Sequence, residues 1–306
     1  MPGQAHAPAE AGQGFDAGGT IIGHVSNSSP DHPLIHFRSV FGIDLSVSKH
    51  VFMLWLVAAL VFVGVTWIVR RQIRGGRIVP TGSANVLDVV VEFIRDSIAR
   101  PNVGDKWVLT WTPFLLTLFV FILGANAIGL VPIFEVIGLV DHLVLHSPDG
   151  SFVKNLLHGS STATGNYNVT AGLALVTFLS IIVAGTRAHG FVQHWKNLVP
   201  TGMPAALYPL LIPMEIISMF VRPFALTMRL AANMTGGHIA ILAILSFVFI
   251  FGEMLGATGG IGVGVLFSVP LSVLIYGLEI IVVLVQAYVF TLLSAVFIGM
   301  AIHVHH

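Results

Sequence analysis

Cysteine is absent from the 306 residues, which excludes disulfides, thiolate metal sites and a cysteine nucleophile. Charge is scarce: Asp, Glu, Lys and Arg make up 9% of the chain, against about a quarter in ordinary soluble domains. The 14 acidic and 14 basic residues cancel, so the basic footprint of a nucleic-acid partner is missing. The apolar runs lack the period-two alternation of a transmembrane β-barrel. No internal repeat marks the chain as an inverted-repeat transporter. The first 30 residues have neither the basic nor the apolar region of a secretory signal peptide. Gly, Ala, Ser and Pro dominate there, which predicts a poorly ordered, mobile tail over residues 1–34.

What is present is apolar. Hydrophobic residues are 55% of the sequence and the mean hydropathy is +0.90. Several runs near the length of a bilayer crossing predict an all-α polytopic membrane protein. About five membrane helices and one interfacial amphipathic helix are expected within residues 35–302, with a short tail at 303–306.

Residues 50–69 read as the first span, and Arg70, Arg71, Arg74 and Arg77 follow it. The positive-inside rule makes that end cytoplasmic and the N-terminus external. Residues 83–99 are amphipathic, with Ser83 available as a cap. Val86, Val89, Val90, Phe93, Ile94 and Ile98 gather on one side, which suits a helix at the cytoplasmic interface or one docking a partner. The second span, 111–133, begins at Trp111, a residue type that collects at membrane interfaces, and holds Asn126 deep within it. An interhelical hydrogen bond explains Asn126 better than a transport role does. Residues 135–167 form a polar outer loop, and 168–186 return inward to Arg187 and Lys196. Histidine groups at His32/His36, His142/His146 and His303/His305/His306 are too sparse or too terminal to make a metal site. No cofactor is implied.

The stretch 203–253 holds Glu215, Arg222, Arg229, Asn233 and His238 inside an otherwise greasy run. A charge in the hydrocarbon core costs about 3 kcal/mol on insertion scales, so these residues point to function. Glu215, Arg222, Arg229 and Gly236 step by seven, and Asn233 follows Arg229 by four, giving one polar stripe on a helix. A helix through the whole run would be about 65 Å long, twice the hydrocarbon thickness of about 30 Å. It must break, with Gly236–Gly237 the expected place, or lie strongly tilted against a partner surface. A glycine-rich outer loop at 256–264 and a second over-long arm at 265–302 complete a hairpin. That arm carries Glu279 and Gln286, again seven apart.

Arginine does not release its proton in a protein, so Arg222 and Arg229 are fixed charges. At about 4 Å and an effective dielectric of about 20, an arginine attracts a carboxylate by about 4 kcal/mol, on the order of three pKa units. A carboxylic acid brought up to such a residue releases its proton, and the same charge bars protons from crossing there. Glu215, His238 and Glu279 are the groups able to titrate. His238 and Glu279 sit on opposite arms, where they form either a proton relay or a buried ion pair fixing hairpin register.

The segment RPFALTMRLAANMTGGH, 222–238, resembles the arginine motif of subunit a of the F-type ATP synthases. EIIVVLVQAYVFTLLSAVF in the last arm resembles that family's glutamine segment, and NAIGLVP and NVTAGLAL resemble the ends of its neighbouring spans. The resemblance covers roughly 35–302 and leaves the N-terminal tail and the 135–165 loop outside the family core. It implies that Arg229 is the essential arginine, Asn233 its companion amide, Gln286 the glutamine, and His238 with Glu279 the family's Glu/His pair. It implies a non-catalytic stator with two proton half-channels, facing a ring of c subunits and held by a b-subunit stalk in a bacterial inner membrane. A sodium-translocating version is the first alternative. A secondary transporter and a non-conducting scaffold are the others.

Overall fold

The computed structural model describes residues 16–25, 46–75, 81–131, 137, 141, 143, 162–197 and 207–303. The described residues are helical apart from short turns, and no β-strand occurs among them. The elements are α1 (Ala17–Val25), α2 (Lys49–Arg74), α3 (Ser83–Glu92), α4 (Arg100–Val103), α5 (Val108–Leu130), α6 (Tyr167–His189), α7 (Phe191–Lys196), α8 (Tyr208–Val263) and α9 (Val269–Ile302). Among the described residues four stretches are long and apolar enough to cross a membrane: α2, α5, α6 and the 95-residue run Tyr208–Ile302. The last folds into two arms, which makes five membrane elements in an all-α polytopic protein.

The hairpin turns on one residue. Gly256, at φ 77° and ψ 173°, is the non-helical point in α8, a conformation that essentially only glycine adopts. The chain reverses there, so the first eight residues after it lie back on α8. Gly260 and Gly252 cross so closely that a Cβ on Gly260 would sit 2.8 Å from Gly252 Cα and from the Val248 carbonyl. The break predicted at Gly236–Gly237 does not occur: both glycines are helical. Interior glycine costs a helix about 1 kcal/mol, which does not force a break. The predicted loop 256–264 does hold the turn but is shorter than expected, because beyond Gly256 the chain is helical, through a π-helical stretch Gly264–Ser268 into α9. Pro213 and Pro223 stand inside α8 without ending it. Each arm is roughly 70 Å long at 1.5 Å per residue, so a hairpin within a bilayer must lie steeply tilted, the other option open to the sequence.

The amphipathic helix also differs from its prediction. Gly82 rather than Ser83 occupies the cap position, and Ser83 opens the helix. The helix widens into a π-helical segment, Phe93–Ala99, before α4, where Pro101 lacks an N–H to donate. Only its second half is in the core: Ile94, Ile98, Ala99 and Val103 are buried, whereas Val86 and Val89 are exposed. Trp111 is not at a surface. It is buried, edge-on to Phe114 at 6.0 Å.

The main core joins the π-helical segment, α4, α5, α6, α8 and α9, with Leu115, Ile122, Ala184, Leu226, Leu230, Phe290 and Ile298 among its buried members, and Met53 of α2 packs with Ala163 in a smaller cluster. Near one end of the bundle, His189 donates to the Ile302 carbonyl at 2.9 Å and His303 to Val103 O at 3.1 Å. At the other, Asn126 and Gly129 of α5 meet the segment 162–166 that leads into α6. Within the N-terminal stretch expected to be poorly ordered, α1 is a helix that packs against α8. The rest of that stretch, the loop histidines and the last three residues lie outside the described residues.

Candidate functional site

The polar residues of the two arms separate into an inner and an outer group. α8 buries Leu226, Leu230, Ala231 and Met234 against the bundle. Helical periodicity then turns Ala225, Met228, Arg229, Ala232, Asn233 and Gly236 to the opposite, exposed face. Arg229 therefore stands on the surface of this chain. Among the described residues no carboxylate lies within ion-pairing distance of it. The stripe called for a partner surface, and any burial of Arg229 has to come from a surface outside the chain.

Arg222, one seven-step earlier, is different. It pairs with Glu215 at 3.6 Å, contacts Ser218 Oγ at 3.4 Å and lies 5.5 Å from the centre of the Phe297 ring. Its charge is satisfied within the chain, and Glu215 is spent on it. The stripe read from the sequence thus holds one paired arginine and one unpaired one.

The inner group sits between the arms. Glu279 of α9 is 4% exposed, and neither carboxylate oxygen has a hydrogen-bond partner among the described residues. Its nearest titratable neighbour is His238 of α8, whose Nδ1 is 3.8 Å from Oε1, an ion-pair distance rather than a hydrogen bond. Gly237 makes room for this: a Cβ there would be 2.7 Å from Oε1 of Glu279. Gln286 is buried on the same face of α9, one seven-step along. In the antiparallel register that sets His238 against Glu279, Gln286 falls level with Ala231, beside the turn that carries Arg229 and Asn233. Along the arms the buried amide thus stands between the level of the inner pair and that of the outer arginine.

Asn126 is fully buried, and its Oδ1 accepts from the Thr164 hydroxyl at 2.6 Å. The bond ties α5 to the turn before α6, where the sequence suggested a bond between two spans. That segment was the part the sequence did not single out. Thr162, fully buried, hydrogen-bonds His238 Nε2 at 2.6 Å, and Thr235 donates to the Gly165 carbonyl at 3.2 Å. Polar residues at the end of a loop are common, and nothing in their spacing distinguished them. Among the described residues no group of three or more His, Cys, Asp or Glu could hold a metal ion.

Residues 51–299 match the family profile described as the ATP synthase A chain. The chain belongs to the ATP synthase A chain family. A protein from Chlorobium luteolum named ATP synthase subunit a 2 is 38% identical over 97% of this chain and 79% of its own length. ATP synthase subunit a of Chloroherpeton thalassium is 39% identical over 92% of this chain and 74% of its own. The subunit a of Myxococcus xanthus is 39% identical over 86% and 75%. The A chain family match takes in nearly all of α2 and of α9, and with them all eight candidate residues from Asn126 to Gln286.

Proposed function

We propose that the chain is the proton-conducting stator subunit a of a rotary F-type ATP synthase. The observation that carries this reading is the contrast between Arg229, unpaired on an exposed face among small residues, and the His238–Glu279 pair enclosed between the arms. An unpaired arginine is costly in lipid, so the face it occupies suits a protein partner. Ala225, Ala232 and Gly236 allow a partner helix to approach closely. A ring of c subunits carrying one carboxylic acid each would meet Arg229 there and be driven to deprotonate. The arginine, never a proton carrier itself, would separate two half-channels and prevent a short circuit between them.

Glu279 and His238 would load the ring carboxylates on one side of that barrier, with Gln286 and Asn233 lining the way. Glu215 is engaged with Arg222 and would act by holding that charge in place rather than by moving protons. The subunit has no catalytic centre for ATP and needs no cofactor. Its partners would be the c ring, a b-subunit stalk and the lipid bilayer of a bacterial inner membrane. The basic ends of α2 and α6 support an external N-terminus and a cytoplasmic C-terminus. Sodium in place of protons is the second reading, because the carboxylate that would select the ion belongs to the ring and not to this chain.

The test is ATP-driven proton pumping in vesicles carrying the whole complex, with assembly verified. Arg229→Ala and Glu279→Gln are each expected to abolish most pumping. An assembled Arg229→Ala complex that pumps at the normal rate would overturn the reading.

A further inference from the structure

We infer that Thr162 is a positioning residue for His238, holding the imidazole so that Nδ1 faces Glu279. This rests on the relay role proposed above for the His238–Glu279 pair and adds a third member from outside the two arms.

The geometry is specific. His238 has two ring nitrogens. Nε2 is 2.6 Å from Thr162 Oγ1, and Nδ1 is 3.8 Å from Glu279 Oε1. With one edge of the ring bound to the hydroxyl, the other is the only one left to face the carboxylate. A threonine hydroxyl has one hydrogen to give and lone pairs to accept with, and it rotates between these roles. It can donate to a bare Nε2, leaving the hydrogen on Nδ1, or accept from Nε2–H. It therefore supports His238 in either tautomer and in the imidazolium form, as a histidine that repeatedly gains and loses a proton requires.

Thr162 is itself locked. It is fully buried, and it packs directly over Gly129 of α5, where a Cβ would collide with its side chain. Two residues on, Thr164 is fixed to Asn126, and Gly165 accepts from Thr235 one helical turn before His238. The strand of backbone at 162–166 is thus pinned to α5 and α8 around the bond to His238. Without it the ring, whose side chain is 23% exposed, would be free to swing away from Glu279.

The distinguishing experiment compares valine and serine at this position in the assembled complex. Valine matches threonine in shape and lacks the hydroxyl. Serine keeps the hydroxyl and leaves a methyl-sized gap. If Thr162 positions His238, Thr162→Val lowers ATP-driven proton pumping by about tenfold, the worth of one hydrogen bond to a group that takes a charge. Thr162→Ser stays within about twofold of the parent. A packing role predicts the reverse order, and that result, or equal loss in both, would overturn the proposal. So would normal pumping by Thr162→Val. Should the valine variant fail to assemble, Thr162→Ala, which only removes atoms, is read in its place. Glu279→Gln run alongside separates the two ideas: if it also pumps normally the relay itself is wrong, whereas its loss beside an active Thr162→Val sinks the threonine alone.

Discussion

Whether a charged residue on a membrane helix works on its own chain or on another depends on what its side chain reaches. Arg222 and Arg229 have the same chemistry and lie on one seven-residue stripe. One finds Glu215 and the Phe297 ring, and the other finds neither. The sequence showed the stripe but not this division, because it depends on how the face rotates past α9 over two turns. The approach of His238 to Glu279 was legible, since both arms had to pack antiparallel to hide so much polar surface. Its fineness was not. Gly237 leaves the carboxylate its space, and a methyl there would come 2.7 Å from Oε1 and 3.0 Å from Cδ of Glu279. The atoms in the way are the tip of a flexible side chain, so they can move at little cost to folding. Gly237→Ala is therefore expected to assemble normally. Its pumping should fall on the order of tenfold or more, since displacing a reacting group by about an ångström carries penalties of that size. Normal pumping by an assembled Gly237→Ala complex would show that the 3.8 Å separation does not matter.

At the scale of elements, length was the strongest signal and glycine content the weakest. Two apolar runs, each close to or above twice a bilayer crossing, could only be tilted or broken, and the hairpin follows from that. The turn does fall in the expected stretch 256–264, at Gly256, but the break expected at Gly236 and Gly237, which lie in mid-run and look like breakers, is missing. A helix absorbs such glycines for about 1 kcal/mol each, whereas a reversal needs backbone angles closed to other residues. Gly256 supplies them at φ 77° and ψ 173°. Replacing it by alanine is expected to cost about 1–3 kcal/mol, visible as a lower thermal unfolding midpoint of the purified complex. Gly262 is the control. It is helical with open space around it, so Gly262→Ala should be neutral or stabilising by up to about 1 kcal/mol. Equal midpoints for the two variants would mean that Gly256 is not the strained point of the turn. The amphipathic helix teaches a related lesson. Its apolar side was read correctly as a face, but only Ile94, Ile98 and the residues after them reach the core, while Val86 and Val89 stay exposed. Periodicity reports a face and not how far along it the bundle extends.

For the molecule as a whole, the ends of the bundle are closed by different chemistry. The end at Thr162 is closed by hydroxyl and amide bonds around the inner pair. The other is closed by histidines: His189 holds Ile302, His303 holds Val103, and His194 of α7 lies against Gly185, where no Cβ would fit. None of this could be read from the chain, because each contact joins residues whose partners are set by the fold. His194 connects this end to pH. Burial, with the charge of His189 behind it, pushes its pKa below the ordinary 6.5. The folded state thus prefers the neutral ring, and an unfolded or undocked α7 would protonate more readily. The stabilisation is fully present above the ordinary histidine value. It drains away as the pH falls below it, because protons then bind preferentially to the opened form. The connection between α6 and α7 should accordingly become more open to protease as the purified complex is taken from about pH 7.5 to about pH 5.5. His194→Gln, which cannot titrate, should show a smaller difference between the two conditions. If it retained the full pH response, the loosening would belong to His189 or His303, and His194 would be a packing residue that happens to be a histidine.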